Sequence, residues 1–348
     1  MRILKERGHE VSVHVVFKAA TETYSVVDPK VIRQSSLSKL ILRYAPGKGV
    51  NAPRAFPPVK WYWRQMSELD PDIVIVRDPL RWFSITAAVI CVLQRRKLVV
   101  YDQAPVCPQR FSRTWVRRII TKWVGIGQFS SRLGKGEKGE GGLGALFIPF
   151  GLMKLESVPE IVRLSEKTIR VLMVAKYRSR KGHDRLLDAI NIIGGKRPLA
   201  VTFCGEEVLA QDIDFRKRLE RRIEKLGLSG EVSFVANIDH ANMPRLYMSH
   251  DLYILPSINE PAAVSPIEAA QFGCAVLVSK DSGTRGYLPP GERFEIDLND
   301  EEDLARKILE ITRSRSVLNE AKTACKKHVG RVASDDLILS RFRMLAGK

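Results

Sequence analysis

Short apolar runs alternate with amphipathic stretches through the second half of the chain. The runs predict strands at residues 170–174, 200–204, 232–235, 252–255 and 275–279. Two intervening stretches place their apolar residues on one helical face, through Leu186, Leu187, Ile190 and Ile193, and through Leu219, Ile223 and Leu226 before Gly227. The alternation predicts a doubly wound α/β domain with a parallel sheet, whose ligands bind beyond the carboxyl ends of the strands.

The first half shows the same alternation less regularly. It predicts strands at residues 10–16, 72–76 and 97–101, a buried helix at residues 83–93, and a mobile loop over residues 125–144, which hold eight glycines. The length of 348 residues suits two domains. We place their junction near residues 152–168, which gives a Rossmann-like first domain at 1–155 and a second at 156–332.

Composition excludes several classes of protein. With 45% hydrophobic and 28% charged residues, the chain is globular, and no apolar run reaches the roughly 20 residues of a membrane-spanning helix. The first residues are charged and lack the apolar segment of a secretory signal, so we expect a cytoplasmic protein. The five cysteines are scattered without a paired spacing, which predicts reduced thiols and no structural metal.

Positive charge is concentrated in the first half. The net charge is +18, of which +14 lies within residues 1–150. Such a field attracts nucleic acid, an anionic membrane face or phosphorylated substrates, although a basic solvated surface without a specific partner gives the same count. Because no nucleic-acid-binding module is visible, we expect no nucleic acid and favour attraction to a membrane surface.

Two carboxylates eight residues apart follow the predicted strand at 252–255. Glu260 and Glu268 bracket a turn that opens a helix, and Ser265, Pro266 and Glu268 fit the N-cap, N1 and N3 positions of a capping box. Glu268 then has two interpretations, a helix cap or a ligand-binding carboxylate. In the second, the free amides of the helix start face the ligand crevice and suit a phosphate.

A basic loop follows the first predicted strand of the same domain. Lys176, Arg178, Arg180 and Lys181 lie within six residues and can clamp a phosphate, although a solvated turn has the same composition. Carboxylates for sugar hydroxyls, combined with cations for a diphosphate, favour a nucleotide-sugar site.

These segments resemble a known family. The run PSINEPAAVSPIEAAQFG, together with RVLMVAKYRSRKGHD, VTFCGEE, VSFVANIDHANMPRLYMSHD and, near the start, KERGHEV, is similar to the retaining family 4 type of GT-B glycosyltransferases. The resemblance implies two Rossmann-like parallel-sheet domains that face a cleft. It also implies a last helix, within residues 333–348, that crosses back to the first domain. The implied reaction transfers a sugar from a nucleotide-sugar donor with retention, without a metal or other cofactor.

The resemblance also implies roles for individual residues. Glu268 would bind the ribose hydroxyls, Glu260 would lie beside the donor sugar, and Arg180 and Lys181 would bind the diphosphate. The donor-binding set is completed by Lys176, Gly205, Ala263, Val264 and Ser265.

Three departures from the family pattern accompany this resemblance. Ala262 and Ala263 replace a frequent Phe-Gly, and Arg77 and Asp78 stand where a histidine often follows a first-domain strand. Arg77 and Asp78 are therefore candidates for the acceptor side, although an ordinary surface arginine would fit the position of Arg77 equally well. The chain also opens inside the family's first helix, without the preceding strand and glycine-rich loop, which we interpret as a truncated start.

The resemblance, together with the positive charge of the first half, implies a glycosyltransferase that acts on a cell-surface glycan or lipid-linked acceptor, of the lipopolysaccharide or capsule type, with peripheral contact to the inner membrane face. The alternative is a truncated, non-catalytic paralogue that binds nucleotide or serves as a scaffold. A nucleotide-dependent oxidoreductase would need a Gly-x-Gly-x-x-Gly after a strand, which the chain lacks.

Overall fold

The computed structural model describes residues 1–15, 26–32, 34–44, 57–77, 81–102, 127–131, 140–141, 145–154 and 167–347. Its strands form two main sheets, one in each half of the chain. Asp78 and Cys107 lie outside the described residues. Cys91, Cys204, Cys274 and Cys325 are buried.

The first half contains a five-stranded sheet. Its elements, in chain order, are α1 (Arg2–Glu6), β1 (His14–Val15), β2 (Lys30–Val31), α2 (Ser36–Tyr44), α3 (Val59–Leu69), β3 (Ile73–Arg77), α4 (Trp82–Leu93), β4 (Lys97–Asp102), β5 (Gly127–Ser130), β6 (Glu140–Gly141) and β7 (Ala145–Phe147). The strand order is β3-β4-β5-β7-β6, and all neighbours are parallel except β6 and β7. β1 and β2 form a separate parallel pair.

The second half contains a six-stranded parallel sheet in the order β10-β9-β8-β11-β12-β13. Its strands are β8 (Ile169–Val174), β9 (Leu199–Gly205), β10 (Val232–Ala236), β11 (Leu252–Leu255), β12 (Ala275–Ser279) and β13 (Glu295–Ile296). Its helices are α5 (His183–Ile193), α6 (Ala210–Lys225), α7 (Met243–Met248), α8 (Ser265–Gln271), α9 (Asp303–Ile311) and α10 (Arg315–Val332), and α11 (Asp335–Ala346) follows. Every residue of β11 and β12 is buried, as expected when helices cover both faces of a parallel sheet. The α/β prediction is confirmed.

Two predictions for the first half need correction. The glycine-rich stretch 125–144 is not simply a loop, because it contains β5 and β6. β5 pairs with β4, and its Phe129 ring stacks on Tyr101 at 4.8 Å between centroids. The predicted helix at 83–93 forms as α4 but is buried on one face rather than all round, since Val89, Val92 and Leu93 are exposed.

Side chains of the two halves meet at several points. Tyr287 donates a hydrogen bond to the Ser131 carbonyl at 2.6 Å and accepts one from the Phe150 amide at 3.0 Å. α11 packs against α1 and the first sheet in a cluster that includes Ile3, Phe129, Ile148, Ile338 and Leu339. Within the described ranges, no helix is both long and apolar enough to cross a bilayer.

Candidate functional site

Two sequence segments meet at one edge of the second sheet. The basic loop of residues 175–182 follows β8, and the turn that carries Glu260 follows β11. β8 and β11 are parallel neighbours, so their carboxyl ends lie side by side. This is the edge where open α/β sheets bind ligands.

A glycine permits the close approach of these segments. Gly182 has a φ of +85°, and a Cβ atom placed on it would lie 2.2 Å from the carbonyl oxygen of Pro256. The Ile258 amide also donates to the Arg180 carbonyl at 2.8 Å. Loop and turn therefore form one packed unit.

The packed unit brings three charged side chains together. Oε2 of Glu260 accepts from Lys181 at 2.6 Å and from Arg180 at 3.1 Å. Glu260 is 5% exposed, whereas the side chain of Arg180 is half exposed. Burial lowers the pKa of the Lys181 ammonium, and the Glu260 carboxylate opposes this. The site thus holds two cations beside one acidic oxygen.

Glu268 lies on α8 and is fixed by a buried tyrosine. The Tyr247 hydroxyl donates to Oε2 of Glu268 at 2.8 Å, and Nε2 of His240 lies 3.9 Å from Oε1. Burial raises the pKa of the Glu268 carboxyl, while the hydrogen bond from Tyr247 lowers it. The carboxylate is held in place while its second oxygen faces an exposed histidine.

The predicted capping box is wrong. The helix begins at Ser265 with Val264 as its N-cap residue, and no side chain caps it. The hydroxyl of Ser265 pairs instead with the Tyr253 hydroxyl at 2.7 Å, because β11 places that buried ring beside the helix start. The interpretation of Glu268 as a helix cap therefore has no support in the structure.

The remaining predicted donor residues have varied surroundings. Lys176 pairs with Glu206 at 2.9 Å and is exposed, so it does not join Glu260. A Cβ atom on Gly205 would lie 2.7 Å from the Ala175 carbonyl oxygen, which gives this glycine a packing role. The Ala263 amide donates to Oγ1 of Thr284 at 2.8 Å, so that amide is already bonded.

A cavity of about 650 Å³ adjoins the basic loop. It is lined by residues 176–181 and by Gln211 and Phe215 of α6. Its size is within the range of small-molecule pockets. Among the described residues, no group of three His, Cys, Asp or Glu side chains is placed to hold a metal ion.

The acceptor-side candidates belong to the other sheet. Arg77 ends β3 and is exposed. Asp78 follows it, outside the described residues.

Sequence reasoning missed three residues that shape the site, Tyr247, Tyr253 and Thr284. A tyrosine within an apolar stretch looks like core, and both tyrosines are indeed buried. No pattern in the sequence indicates which polar group a buried hydroxyl meets, because the partners of Tyr247 and Tyr253 lie 21 and 12 residues away.

Comparisons with known proteins agree with this architecture. The chain superposes on HepE of Anabaena, solved with UDP and glucose, with a TM-score of 0.72 at 17% identity over 100% of this chain and 94% of that one. It superposes on sucrose-phosphate synthase of Thermosynechococcus elongatus with a TM-score of 0.71 at 16% identity, covering 99% and 90%. At such identities the likeness establishes the fold, which is the GT-B fold of glycosyltransferases.

The family follows from the second half. Residues 156–328 match the model for glycosyl transferases group 1. The chain belongs to this family, and the predicted resemblance is confirmed.

Curated relatives match part of the chain. It is 28% identical over 138 residues to mannosylfructose-phosphate synthase of Agrobacterium fabrum, which is 38% of this chain and 30% of that protein. It is also 28% identical over 123 residues to a lipopolysaccharide core biosynthesis mannosyltransferase of Rhizobium meliloti, 35% of this chain and 34% of that protein. The aligned regions span about a third of each relative.

Proposed function

We propose that the protein is a retaining glycosyltransferase that moves a sugar from a nucleotide-sugar donor to a cell-surface glycan or lipid-linked acceptor. The observation that carries this proposal is the cluster of Lys181, Arg180 and Glu260 at the ligand edge of the second sheet. Membership of the group 1 family supports the reaction class.

The cluster suits a sugar diphosphate. As the bond between sugar and diphosphate breaks, negative charge grows on the leaving diphosphate. Fixed cations lower the energy of that transition state. Lys181 and Arg180 are such cations, and we assign Glu260, which lies beside them, to the donor sugar. In this proposal the two side chains offset the charge, and no metal or other cofactor is required.

Glu268 suits the ribose of the nucleotide. An ionised carboxylate accepts hydrogen bonds, and ribose offers two hydroxyl donors. Tyr247 holds one carboxylate oxygen, which orients the group before a donor arrives. Crystal structures of a structural neighbour, HepE, with UDP and glucose and with UDP-glucose support a nucleotide-sugar as the ligand.

The acceptor assignment rests on charge and on relatives. The net charge of +14 within residues 1–150 attracts an anionic, lipid-linked acceptor at a membrane face. Arg77, with Asp78, is our candidate contact on that side. The relative from Rhizobium meliloti is named for lipopolysaccharide core biosynthesis, which supports a surface glycan as product.

Ligand-induced thermal stabilisation tests the donor site. UDP, GDP, ADP and their common sugar conjugates are compared, since a ligand at about 100 times its dissociation constant adds about 2.7 kcal/mol of stability. We expect one base to stabilise the protein and Glu268→Gln to abolish the effect. Glu310→Gln, an exposed carboxylate on α9, should leave it unchanged. Stabilisation by no nucleotide would refute the donor site.

Turnover separates the enzyme from a nucleotide-binding paralogue. The stabilising sugar nucleotide is incubated with membrane glycolipid extracts, and release of nucleoside diphosphate is measured. Product glycosides are then analysed for anomeric configuration by NMR. Release with retention supports the proposal, whereas stabilisation without release would favour the non-catalytic alternative, and an inverted product would exclude retention.

A further inference from the structure

α4 has an apolar surface on two opposite faces. One face packs into the core through Phe83, Ala87 and Ile90. The other is exposed, with relative accessibilities of 49% for Trp82, 52% for Val89, 53% for Val92 and 64% for Leu93. Surface helices normally carry polar residues on the outer face. We call the exposed set of Trp82, Val89, Val92 and Leu93 the α4 face.

Polar chemistry is nearly absent from this helix. Its twelve residues include no charged side chain. The Ser84 hydroxyl donates to the Arg77 carbonyl at 2.6 Å, and the Thr86 hydroxyl donates to the Trp82 carbonyl at 2.8 Å. Both hydroxyl protons are therefore used within the protein. An exposed apolar patch of this kind, with a polar rim, marks an interaction surface.

The neighbouring helix α3 carries a further exposed tryptophan close to the end of α4. The side-chain amide of Gln94, one residue beyond α4, donates to the Ser67 hydroxyl at 2.8 Å and to the Trp63 carbonyl at 3.4 Å. These bonds hold the α3 turn that carries Trp63 against the end of α4. The Trp63 side chain is itself 40% exposed.

Cations lie next to the patch along the chain and on the neighbouring helix. Arg95 and Lys97 follow α4 and Lys60 lies on α3, and all three are exposed. Two acidic groups in this region are bound to arginines, Glu68 to Arg64 at 2.7 Å and Asp70 to Arg96 at 2.7 Å. The rim of the α4 face is thus positive, in keeping with the basic first half.

We propose that the α4 face, with Trp63, docks on an anionic lipid bilayer surface. Apolar side chains would enter the boundary between headgroups and acyl chains, and the flanking cations would contact anionic headgroups. Tryptophan favours this boundary because its ring is apolar and its N–H is polar. At twelve residues α4 is too short to cross a bilayer, so it lies in the plane of the surface.

Charge disfavours a second copy of the chain as the occupant. Packing two α4 faces together would bring two positive rims, each with Lys60, Arg95 and Lys97, close to each other. Like charges at close range oppose association. A surface of phosphate headgroups is complementary to these cations.

Vesicle sedimentation of the full chain tests this surface. Phosphatidylcholine vesicles are compared with vesicles containing 30% phosphatidylglycerol, at low and high salt. We expect salt-sensitive binding to the anionic vesicles and at least a tenfold loss of binding in the double variant Val89→Gln/Leu93→Gln. The matched control is Ile192→Gln/Val208→Gln, which changes two exposed apolar residues of the second half and should bind normally.

The cations are tested separately. Lys60→Gln/Lys97→Gln should weaken binding by about fivefold for each charge removed. Lys217→Gln/Lys225→Gln on α6 should not weaken it. Equal vesicle binding by the wild type and the α4 double variant would overturn the proposal. A dimer formed by the wild type but not by the double variant would also overturn it, because the α4 face would then bind a second copy of the chain. Nucleotide stabilisation of the double variant, measured in parallel, distinguishes failure of the surface from failure of the donor site.

Discussion

The ammonium of Lys181 lies 2.6 Å from Oε2 of Glu260, the same oxygen that accepts a hydrogen bond from Arg180. The buried carboxylate of Glu260 is therefore paired with the two cations that our proposal assigns to the donor diphosphate. Binding of the diphosphate has to compete with Glu260 for them. Donor affinity and sugar transfer therefore both depend on Glu260. Removing its charge should raise the affinity and lower the rate of transfer.

Glu260→Gln should separate binding from transfer. Because glutamine keeps an oxygen near Lys181, we expect the fold to persist with a loss of about 1 to 3 kcal/mol in the free energy of unfolding. Affinity for a nucleoside diphosphate should rise, since the cations lose their competing carboxylate. Sugar transfer should fall by roughly 100-fold or more. Calorimetric titration with the diphosphate and an assay of nucleotide release measure the two quantities.

Glu220→Gln provides the control for this experiment. Glu220 also pairs with an arginine, Arg216, but on α6 rather than at the ligand edge. It should change neither affinity nor transfer. Weaker diphosphate binding with normal transfer in Glu260→Gln would mean that Glu260 simply organises the two cations.

A pair of glycine substitutions tests the contact between the basic loop and the carboxylate turn. Gly182 and Gly195 both have positive φ, +85° and +76°, but a Cβ atom meets the Pro256 carbonyl in the first and open space in the second. We expect Gly195→Ala to cost about 1 kcal/mol, from backbone strain alone. Gly182→Ala should cost clearly more and should weaken nucleotide binding. Chemical denaturation and thermal stabilisation compare the two, and equal costs would contradict the close approach.

The second sheet could be predicted closely from the sequence. β11 and β12 have the predicted bounds because strands buried on both faces are continuous apolar runs. The short strands β2, β6, β7 and β13 were missed, since two or three residues form no pattern. β5 was also missed, because the glycines near Phe129 in the sequence indicate a loop rather than a strand.

Contacts between residues far apart in the sequence determine some features that the hydrophobic pattern does not predict. Ser265 has the sequence context of an N-cap, yet the Tyr253 hydroxyl takes its side chain. The apolar composition of α4 predicts burial, whereas the structure exposes Val89 and Leu93. The apolar composition of a helix shows that its side chains avoid water, but it does not show whether other residues of the protein cover them.

The pH dependence of donor binding should follow Glu268. Burial raises the pKa of this carboxyl, so it becomes protonated at a higher pH than an ordinary glutamate. Protonation removes an acceptor from the ribose hydroxyls, so affinity for a sugar nucleotide should fall as pH is lowered through that raised pKa. Sugar nucleotides suit the titration because their diester phosphates stay ionised over the range. Dissociation constants between pH 4.5 and 8 give the profile.

Two variants identify the group that titrates. Glu268→Gln should bind weakly and show little change over this range. Tyr247→Phe removes a hydrogen bond that lowers the Glu268 pKa, so the loss of affinity should move to higher pH. His240, 3.9 Å from the carboxylate, is checked with His240→Gln. An unmoved profile in Tyr247→Phe would exclude Glu268 as its source.

His183 should make folding stability depend on pH. Its ring is fully buried among Tyr177, Phe203 and Phe215, and neither nitrogen has a hydrogen-bond partner among the described residues. Burial lowers its pKa from 6.5 to about 4. The unfolded chain therefore binds a proton below pH 6.5 that the folded protein takes up only near pH 4. The free energy of unfolding is therefore unaffected by this histidine above pH 6.5. It falls by about 3 kcal/mol as the pH is lowered from 6.5 to 4.

His183→Leu should remove this part of the pH dependence. The apolar side chain fills a similar space without nitrogens that lack partners, so stability near pH 7 should be retained or increased. Urea denaturation at half-unit steps from pH 4 to 7.5 measures the slope in wild type and variant. His9→Leu, which changes an exposed histidine, should keep the wild-type slope. If His183→Leu kept it too, the ring would have to be accessible to protons in the folded state.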